Sequence, residues 1–276
     1  MSTKPFPALT RVIAGDGTAL PGFDAGPRDA PALVLVHGIS QSKAIWTSLL
    51  TGPLAQTHRL LAFDLRGHGD AAEPASDEPL TRARLGADLG EVLTALRLHR
   101  PTVLVWSFGG VVLGEYLRRQ GDADLGGIVH VAAAVRTGRE ASELYGPAML
   151  EHARGLLAQD TAVYAAAARA FFLESSAHPL PPAVVDATVA DMVRVAAPVR
   201  RALLAGGEDY RPELRRTTVP IATLHGECDP VVLPAMSDLV STLRPDARSA
   251  RFAGVGHLPW LEAPPVFLDA LRAVLA

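Results

Sequence analysis

A serine lies where an apolar run gives way to a helical pattern, and this place suits acyl transfer. Val103 to Trp106 form the apolar run, Ser107 follows it, and Gly109-Gly110 open a segment with apolar residues at helical spacing. A serine on such a sharp strand-to-helix turn presents its hydroxyl near the positive end of the helix, beside backbone N–H groups that can bind an oxyanion. It could therefore attack a carbonyl carbon. The alternative is that Ser107 only caps the following helix.

Two later segments carry the groups that a serine nucleophile needs. His257 stands in a glycine-containing loop between the last strand pattern and the last helical pattern. An imidazole there can take the serine proton and return it to a leaving group near neutral pH. Asp229 and Glu227 both follow an apolar strand pattern, and either carboxylate could orient the imidazole.

Four motifs in chain order resemble the α/β-hydrolase fold family, in particular its serine esterase and lactonase branch, with some likeness to metal-free haloperoxidases and perhydrolases. They are a His-Gly loop at His37, the serine turn at Ser107, an acid loop at Asp229 and a histidine loop at His257. The resemblance implies that Ser107 is the nucleophile and His257 its general base. Because the Asp-Pro-Val-Val segment matches the acid loop, the resemblance also favours Asp229 over Glu227 as the orienting acid.

The same resemblance predicts an oxyanion hole and shows one departure from the family pattern. The donors that the resemblance implies are the backbone N–H groups of Ile39 and Phe108. The departure is Val105, which stands two residues before the serine, where the family has glycine. A β-branched residue there should crowd the turn. Either the helix then sits further out, or the neighbouring side chains are smaller than usual.

A further loop carries charged residues, and the resemblance implies that their role is structural. The segment 64–69 matches a family loop, and Asp64, His68 and His37 could be metal ligands on residue type alone. The metal site is disfavoured because the fold explains the same residues and no close His-X-X-X-His spacing is present. We therefore expect no metal and no cofactor. Glu262 is expected to cap or charge the start of the last helix.

Apolar runs alternate with helical patterns through most of the chain. The runs predicted as strands are 10–14 and 18–23, around a Gly-Asp-Gly turn, and then 32–36, 60–63, 102–105, 127–131, 219–224 and 248–252. The helical patterns are 80–98, 109–119, 234–243 and 263–275. Such alternation predicts an α/β fold, a mostly parallel sheet of about eight strands with helices on both faces. In these sheets the chemistry lies at the carboxyl ends of the strands.

The alternation breaks over residues 136–216, where Ala, Leu and Val recur at helical spacing between proline and glycine breaks. We predict a core domain of residues 1–135 and 217–276 and an inserted helical cap, or lid, of about four helices over 136–216. Because the cap would emerge above the strand ends, we expect it to contact substrate. Seven large apolar residues could line an acyl pocket, although each by itself more often packs in a core. They are Trp106, Tyr145, Met149, Phe171, Phe172, Met192 and Trp260.

Composition argues against several other classes of protein. The formal net charge is −3 at pH 7 and the arginines are scattered, which disfavours a nucleic-acid partner. No run approaches the ~18 apolar residues that cross a bilayer, and no export signal is evident, so we expect a cytoplasmic protein without a membrane partner. The single cysteine, Cys228, excludes an intrachain disulfide, and a buried, inert thiol is expected.

The predicted activity is hydrolysis of an ester, lactone or thioester of a small apolar acyl substrate through an acyl-enzyme intermediate. Other chemistry on the same triad stays open: acyl transfer, perhydrolysis or cleavage of a C–C bond. A second class of function is a non-enzymatic receptor for a small molecule on the same fold. The intact set of triad residues counts against that class.

Overall fold

One sheet of eight strands runs through the part of the protein that the structure describes. The computed structural model describes residues 7–71 and 80–276. In sheet order, the strands are β1-β2-β4-β3-β5-β6-β7-β8; β3 to β8 pair in parallel, and β2 is antiparallel to both β1 and β4. This confirms the predicted α/β fold. The strand bounds are β1 Ala8–Ile13, β2 Ala19–Ala25, β3 Ala32–Val36, β4 Arg59–Phe63, β5 Thr102–Trp106, β6 Gly127–Val131, β7 Ile221–Gly226 and β8 Arg248–Phe252.

Helices connect the parallel strands, and those predicted between strands are present with ends that differ by no more than three residues. Short 3₁₀ turns precede α1, follow it and precede α4, at Lys43–Trp46, Pro53–Gln56 and Arg139–Leu144. The helices are α1 Thr47–Leu50, α2 Arg82–Ala95, α3 Gly109–Gln120, α4 Pro147–Leu156, α5 Thr161–Glu174, α6 Pro182–Arg194, α7 Ala197–Leu204, α8 Arg211–Arg216, α9 Ala235–Leu243, α10 Pro259–Glu262 and α11 Pro264–Leu275. None of the helices in the described ranges is long and apolar enough to cross a membrane.

The middle of the sheet is covered on both faces. Val103, Leu104 and Val105 of β5 are all fully buried, although successive side chains of a strand point to opposite faces. A strand in this position has no polar face, and it therefore reads as a continuous apolar run in the sequence.

The strand register brings several loops to one edge of the sheet. Val36 at the end of β3 pairs with Val105, Val105 pairs with His130, and His130 pairs with Thr223 of β7. The segments that follow β3, β5, β6 and β7 therefore leave the sheet side by side. Those after β3, β5 and β7 carry the motifs at His37, Ser107 and Asp229, and the motif at His257 follows β8, which pairs with β7.

The chain between β6 and β7 holds five helices, α4 to α8, rather than about four. Its two ends meet where Thr137 N–H donates to Glu208 C=O and Tyr210 N–H donates to Val135 C=O. The last helix, α8, packs against α3 and α9 and so lies with the helices of the sheet. The other helices of this segment contact one another in chain order, α4 with α5 and α5 with α6.

Helices α2 and α3 touch backbone to backbone at Gly86. A Cβ atom on Gly86 would lie 2.6 Å from both the carbonyl carbon of Glu115 and the amide nitrogen of Tyr116 on α3. Helix α3 begins two residues after Ser107, so this contact fixes the helix that follows the serine turn.

We expect Gly86→Ala to lower the free energy of unfolding by about 1–3 kcal/mol, because the added methyl group would push the backbone of α3 away. Helix propensity alone would give the opposite sign, a gain of up to ~1 kcal/mol. The measurement is equilibrium unfolding in urea. The matched control is Gly90→Ala in the same helix, whose Cβ would meet the amide end of Gln120 at 2.1 Å. That exposed side chain can turn aside, so equal losses in both variants would contradict the backbone contact.

Candidate active site

Ser107 lies on a strained turn between β5 and α3. Its φ angle of 54° is in the left-handed region, which costs an ordinary L-residue roughly 1–2 kcal/mol. The Ser107 N–H donates to Val131 C=O at 3.3 Å, and the Ser107 C=O accepts from Gly110 N–H at 3.0 Å and Ala134 N–H at 2.9 Å. Strand β6 and the loop after it therefore hold the turn in place.

The two glycines after Phe108 are required by close contacts with backbone. A Cβ atom on Gly109 would lie 2.8 Å from Val36 O, and one on Gly110 would lie 2.3 Å from Ala134 O. The same contacts explain how Val105 is accommodated. Its Cβ lies 3.4 Å from the position of a Cβ on Gly109, so the missing side chain at residue 109 leaves the room that the valine occupies.

The structure brings His257 together with Asp229 and not with Glu227. The His257 Nδ1 atom lies 2.7 Å from Asp229 Oδ2, and both residues are buried, whereas Glu227 is exposed. Burial alone would raise the pKa of Asp229, but the charge and hydrogen bonds of His257 and His225 outweigh it and lower the pKa to about 2. Asp229 is thus a carboxylate near neutral pH, and it fixes the imidazole with Nδ1 as the donor.

A second histidine, His225, also bonds to Asp229, and the sequence motifs assign it no role. Its Nε2 atom lies 3.0 Å from Asp229 Oδ2 and 2.8 Å from Val232 O, two acceptors that require Nε2 to carry the proton. Its Nδ1 atom then accepts from Ser237 Oγ at 2.6 Å. His225 therefore helps to hold Asp229. The only signal in the sequence is its place at the end of the β7 pattern, four residues before the aspartate.

The loop that carries His257 is tied down on both sides of the imidazole. The Glu262 carboxylate accepts from Gly256 N–H at 2.9 Å and Leu258 N–H at 3.0 Å, and His257 N–H donates to Ser175 C=O at 2.8 Å. Glu262 is the last residue of α10, so it does not cap the start of the final helix as expected. It braces the histidine loop instead.

Trp106 links the histidine loop to the serine turn. Its indole Nε1–H donates to His257 C=O at 3.0 Å, and its ring centroid lies 5.2 Å from that of the imidazole. Because Trp106 directly precedes Ser107, these contacts bring the imidazole beside the serine turn.

The predicted oxyanion donors, Ile39 and Phe108, lie next to the serine. The loop of Ile39 passes close by, since a Cβ on Gly38 would lie 3.2 Å from Ser107 Cβ. Neither the Ile39 N–H nor the Phe108 N–H donates to an acceptor within residues 7–71 and 80–276. Both residues also line the cavity that reaches Ser107. Two such donors are available to an oxygen that becomes negative during a reaction.

The charged loop after β4 is bound to its surroundings. Asp64 accepts from Lys43 N–H at 2.7 Å, from Lys43 Nζ at 2.6 Å and from Asp70 N–H at 2.9 Å. His37 Nε2 accepts from Leu65 N–H at 3.0 Å, and burial lowers the pKa of His37 to about 4. Within the described ranges, no group of three or more His, Cys, Asp and Glu side chains is placed to hold a metal ion.

Cys228 differs from expectation, because its thiol is exposed rather than buried. The residue lies in the turn between β7 and Asp229, and its N–H donates to Val255 C=O at 2.9 Å. A turn at the edge of the sheet leaves the side chain open to solvent.

A cavity of about 280 Å³ reaches Ser107, and its wall is largely apolar. Three of the seven predicted pocket residues, Tyr145, Met149 and Phe171, line it. The other four lie in the hydrophobic core, where large apolar side chains more often pack. They are Trp106, Phe172, Met192 and Trp260.

Two arginines that the sequence motifs do not indicate, Arg82 and Arg139, also line the cavity. They belong to segments far apart in the chain, so no local pattern could have identified them. Ser107 on its strained turn, the Ile39 and Phe108 N–H groups that have no acceptor among the described residues, and the His257–Asp229 pair bonded to Trp106 can together carry out acyl transfer.

Comparison with known proteins identifies relatives of the same fold. The esterase RhEst1 from Rhodococcus sp. ECU1013 is similar in structure, with a TM-score of 0.87, 30% sequence identity and coverage of 96% of this chain and 97% of that one. The 3-oxoadipate enol-lactonase 2 of Acinetobacter baylyi is 26% identical over 263 residues, which are 91% of this chain and 90% of that protein. The Mycobacterium tuberculosis protein named Probable oxidoreductase EphD is 34% identical over 118 residues, which are 42% of this chain but only 20% of that longer protein.

A model of the alpha/beta hydrolase family matches residues 33–270. This range contains the parallel strands β3 to β8, apart from the first residue of β3, and all four motifs, from His37 to His257. The chain therefore belongs to the alpha/beta hydrolase family of enzymes.

Proposed function

We propose that this protein is a serine hydrolase that cleaves a carboxylic ester, lactone or thioester of a small apolar acyl substrate. The observation that carries the proposal is the Ser107 turn, in which a residue other than glycine is held at a φ of 54° at the wall of an apolar cavity. Strain of this kind persists only where the surrounding structure imposes it, and it is found mainly at functional sites. The names of two relatives, an esterase and an enol-lactonase, support the same class of reaction.

The first half of the reaction forms an acyl-enzyme. Ser107 Oγ attacks the carbonyl carbon while His257 Nε2 takes the hydroxyl proton, since His257 Nδ1 is engaged by Asp229. The N–H groups of Ile39 and Phe108 hold the oxyanion, and each such donor contributes about 3 kcal/mol in related sites. The tetrahedral intermediate then expels the alcohol or thiol, which takes the proton from His257 and leaves the acyl group esterified to Ser107.

The second half of the reaction releases the acid. Water gives a proton to His257 Nε2 as its oxygen attacks the acyl carbon, and the second tetrahedral intermediate collapses to the carboxylic acid. Ser107 Oγ leaves and takes the proton back from His257. No cofactor takes part in either half, because proton transfer and oxyanion binding use groups of the chain.

We further propose that the segment from residue 136 to residue 209 caps the cavity. Tyr145, Met149 and Phe171, which line the cavity, all come from this segment, and so does Leu203 of α7. A cap that supplies so much of the wall decides which acyl groups fit. The substrate is accordingly a small molecule, and the chemistry requires neither nucleic acid nor a membrane.

We expect Ser107→Ala to lower kcat for a p-nitrophenyl ester of a short fatty acid at least about a thousandfold, since the nucleophile is lost. The measurement is release of p-nitrophenol, with circular dichroism to check that the variant is folded. The matched control is Ser241→Ala on α9, whose hydroxyl donates to Ser237 C=O and to no other group among the residues that the structure describes. That variant should keep the activity of the wild type.

Two outcomes would contradict the proposed function. Unchanged turnover in Ser107→Ala would place the chemistry on another group. Ester binding without turnover by the wild type would favour a small-molecule receptor on the same fold.

The roles of Asp229 and Glu227 can be separated with a pair of amide variants. We expect Asp229→Asn to lower kcat by about 10³–10⁴-fold with little change in KM, because the imidazole loses the partner that sets its tautomer. Glu227→Gln should leave kcat within about twofold, because that side chain is exposed and makes no contact with the imidazole among the described residues. A larger loss of kcat in Glu227→Gln than in Asp229→Asn would show that Glu227, and not Asp229, orients the imidazole.

A further inference from the structure

The cavity at Ser107 carries positive charge in a protein that is negative overall. The formal net charge of the chain is −3. Among the described residues, the cavity is lined by two arginines, Arg82 and Arg139, and by no aspartate or glutamate. Such a local excess of one sign attracts ligands of the opposite charge and repels those of the same charge.

Arg82 is a fixed cation whose charge is only weakly balanced. It is buried, with its Nε atom donating to Leu203 C=O at 2.8 Å and its Nη2 atom donating to Ala205 C=O at 2.6 Å. These carbonyls satisfy hydrogen-bond donors but carry no net charge. The nearest described carboxylate is that of Glu208, 4.0 Å from Nη1, and it also pairs with Arg118 at 2.9 Å.

Arg139 has no partner within the described ranges. It is exposed, and it neither donates a hydrogen bond from its side chain nor forms an ion pair with another described residue. The nearby Arg136, by contrast, pairs with Glu143 at 3.1 Å. A planar guanidinium at the edge of a cavity with its donors unused can accept a carboxylate through two parallel hydrogen bonds.

Arg139 and Ser107 line the same cavity, so one ligand in it can contact both. Ala134 N–H bonds to Ser107 C=O at 2.9 Å, and Arg139 follows five residues later. Five residues span at most about 18 Å when fully extended, and the long arginine side chain can reach back over part of that distance. Apolar wall residues, among them Met149 and Phe171, line the same cavity.

We propose that this site selects acyl groups that end in a carboxylate, with Arg139 binding that carboxylate and Arg82 adding a fixed positive field. The inference rests on the proposed ester hydrolysis and names its substrate class: monoesters of short aliphatic diacids. The reacting carbonyl lies at Ser107, the methylene chain lies along the apolar wall, and the free carboxylate faces Arg139. The product of the reaction is a dicarboxylate.

The test compares two p-nitrophenyl esters of equal chain length, the hexanoate and the monoester of adipate, which differ by one terminal carboxylate. We expect Arg139→Gln to lower the ratio of kcat/KM for the adipate ester to that for the hexanoate by about tenfold, mainly through KM for the adipate ester. Arg139→Lys should recover part of the ratio, because lysine keeps the charge but not the planar fork. Added NaCl should raise KM for the adipate ester in the wild type and have a smaller effect in Arg139→Gln.

The matched control is Arg119→Gln, which removes an exposed arginine near the far end of α3 that is not part of the cavity wall and should leave the ratio unchanged. Arg82 is not varied, because it also anchors the end of α7. If the wild type hydrolyses the hexanoate but not the adipate ester, or if Arg139→Gln leaves the ratio unchanged, the carboxylate site is wrong while the hydrolase stands. If the wild type hydrolyses neither ester, the proposed function itself fails.

Discussion

The arrangement of this site depends on the left-handed backbone of Ser107. The roughly 1–2 kcal/mol that this conformation costs is offset by hydrogen bonds to residues of β6 and the loop after it, Val131 and Ala134, and by the close approach that Gly109 and Gly110 allow. The strain is thus supported by the sheet and the loop after β6, and not by His257 or Asp229. The serine can keep one position while the walls of the cavity vary.

Hydrogen bonds hold His257 and Asp229 in position next to that turn. Trp106, one residue before the serine, bonds to the backbone of His257, and Glu262 braces the histidine loop on both sides. On the remaining side, Asp229 bonds to His257 and is itself held by His225. Each contact is an ordinary hydrogen bond, with a net contribution of about 1 kcal/mol to stability. Together they restrict the imidazole to a narrow range of positions, which catalysis by proton transfer requires.

Much of the fold and the contact between His257 and Asp229 can be predicted from the sequence, because buried parallel strands read as apolar runs and each motif follows such a run. The contacts that support those motifs cannot be predicted in this way. His225 approaches Asp229, and Glu262 approaches the histidine loop, only once the chain has folded. The residues that line the cavity are equally hard to predict from the sequence. Phe171 and Phe172 are adjacent, chemically identical and both buried, yet of the two only Phe171 lines the cavity. The packing of the helices decides which of the two side chains faces the cavity.

The proposed function depends on one serine of this chain being a nucleophile that His257 activates. Labelling with a fluorophosphonate probe followed by peptide mass spectrometry is a direct test of this property, because such probes form a stable adduct only with an activated hydroxyl. We expect one adduct, on Ser107, which forms far more slowly when His257 is replaced by glutamine. An adduct on a different serine, or labelling of Ser107 at the same rate without the imidazole, would contradict it.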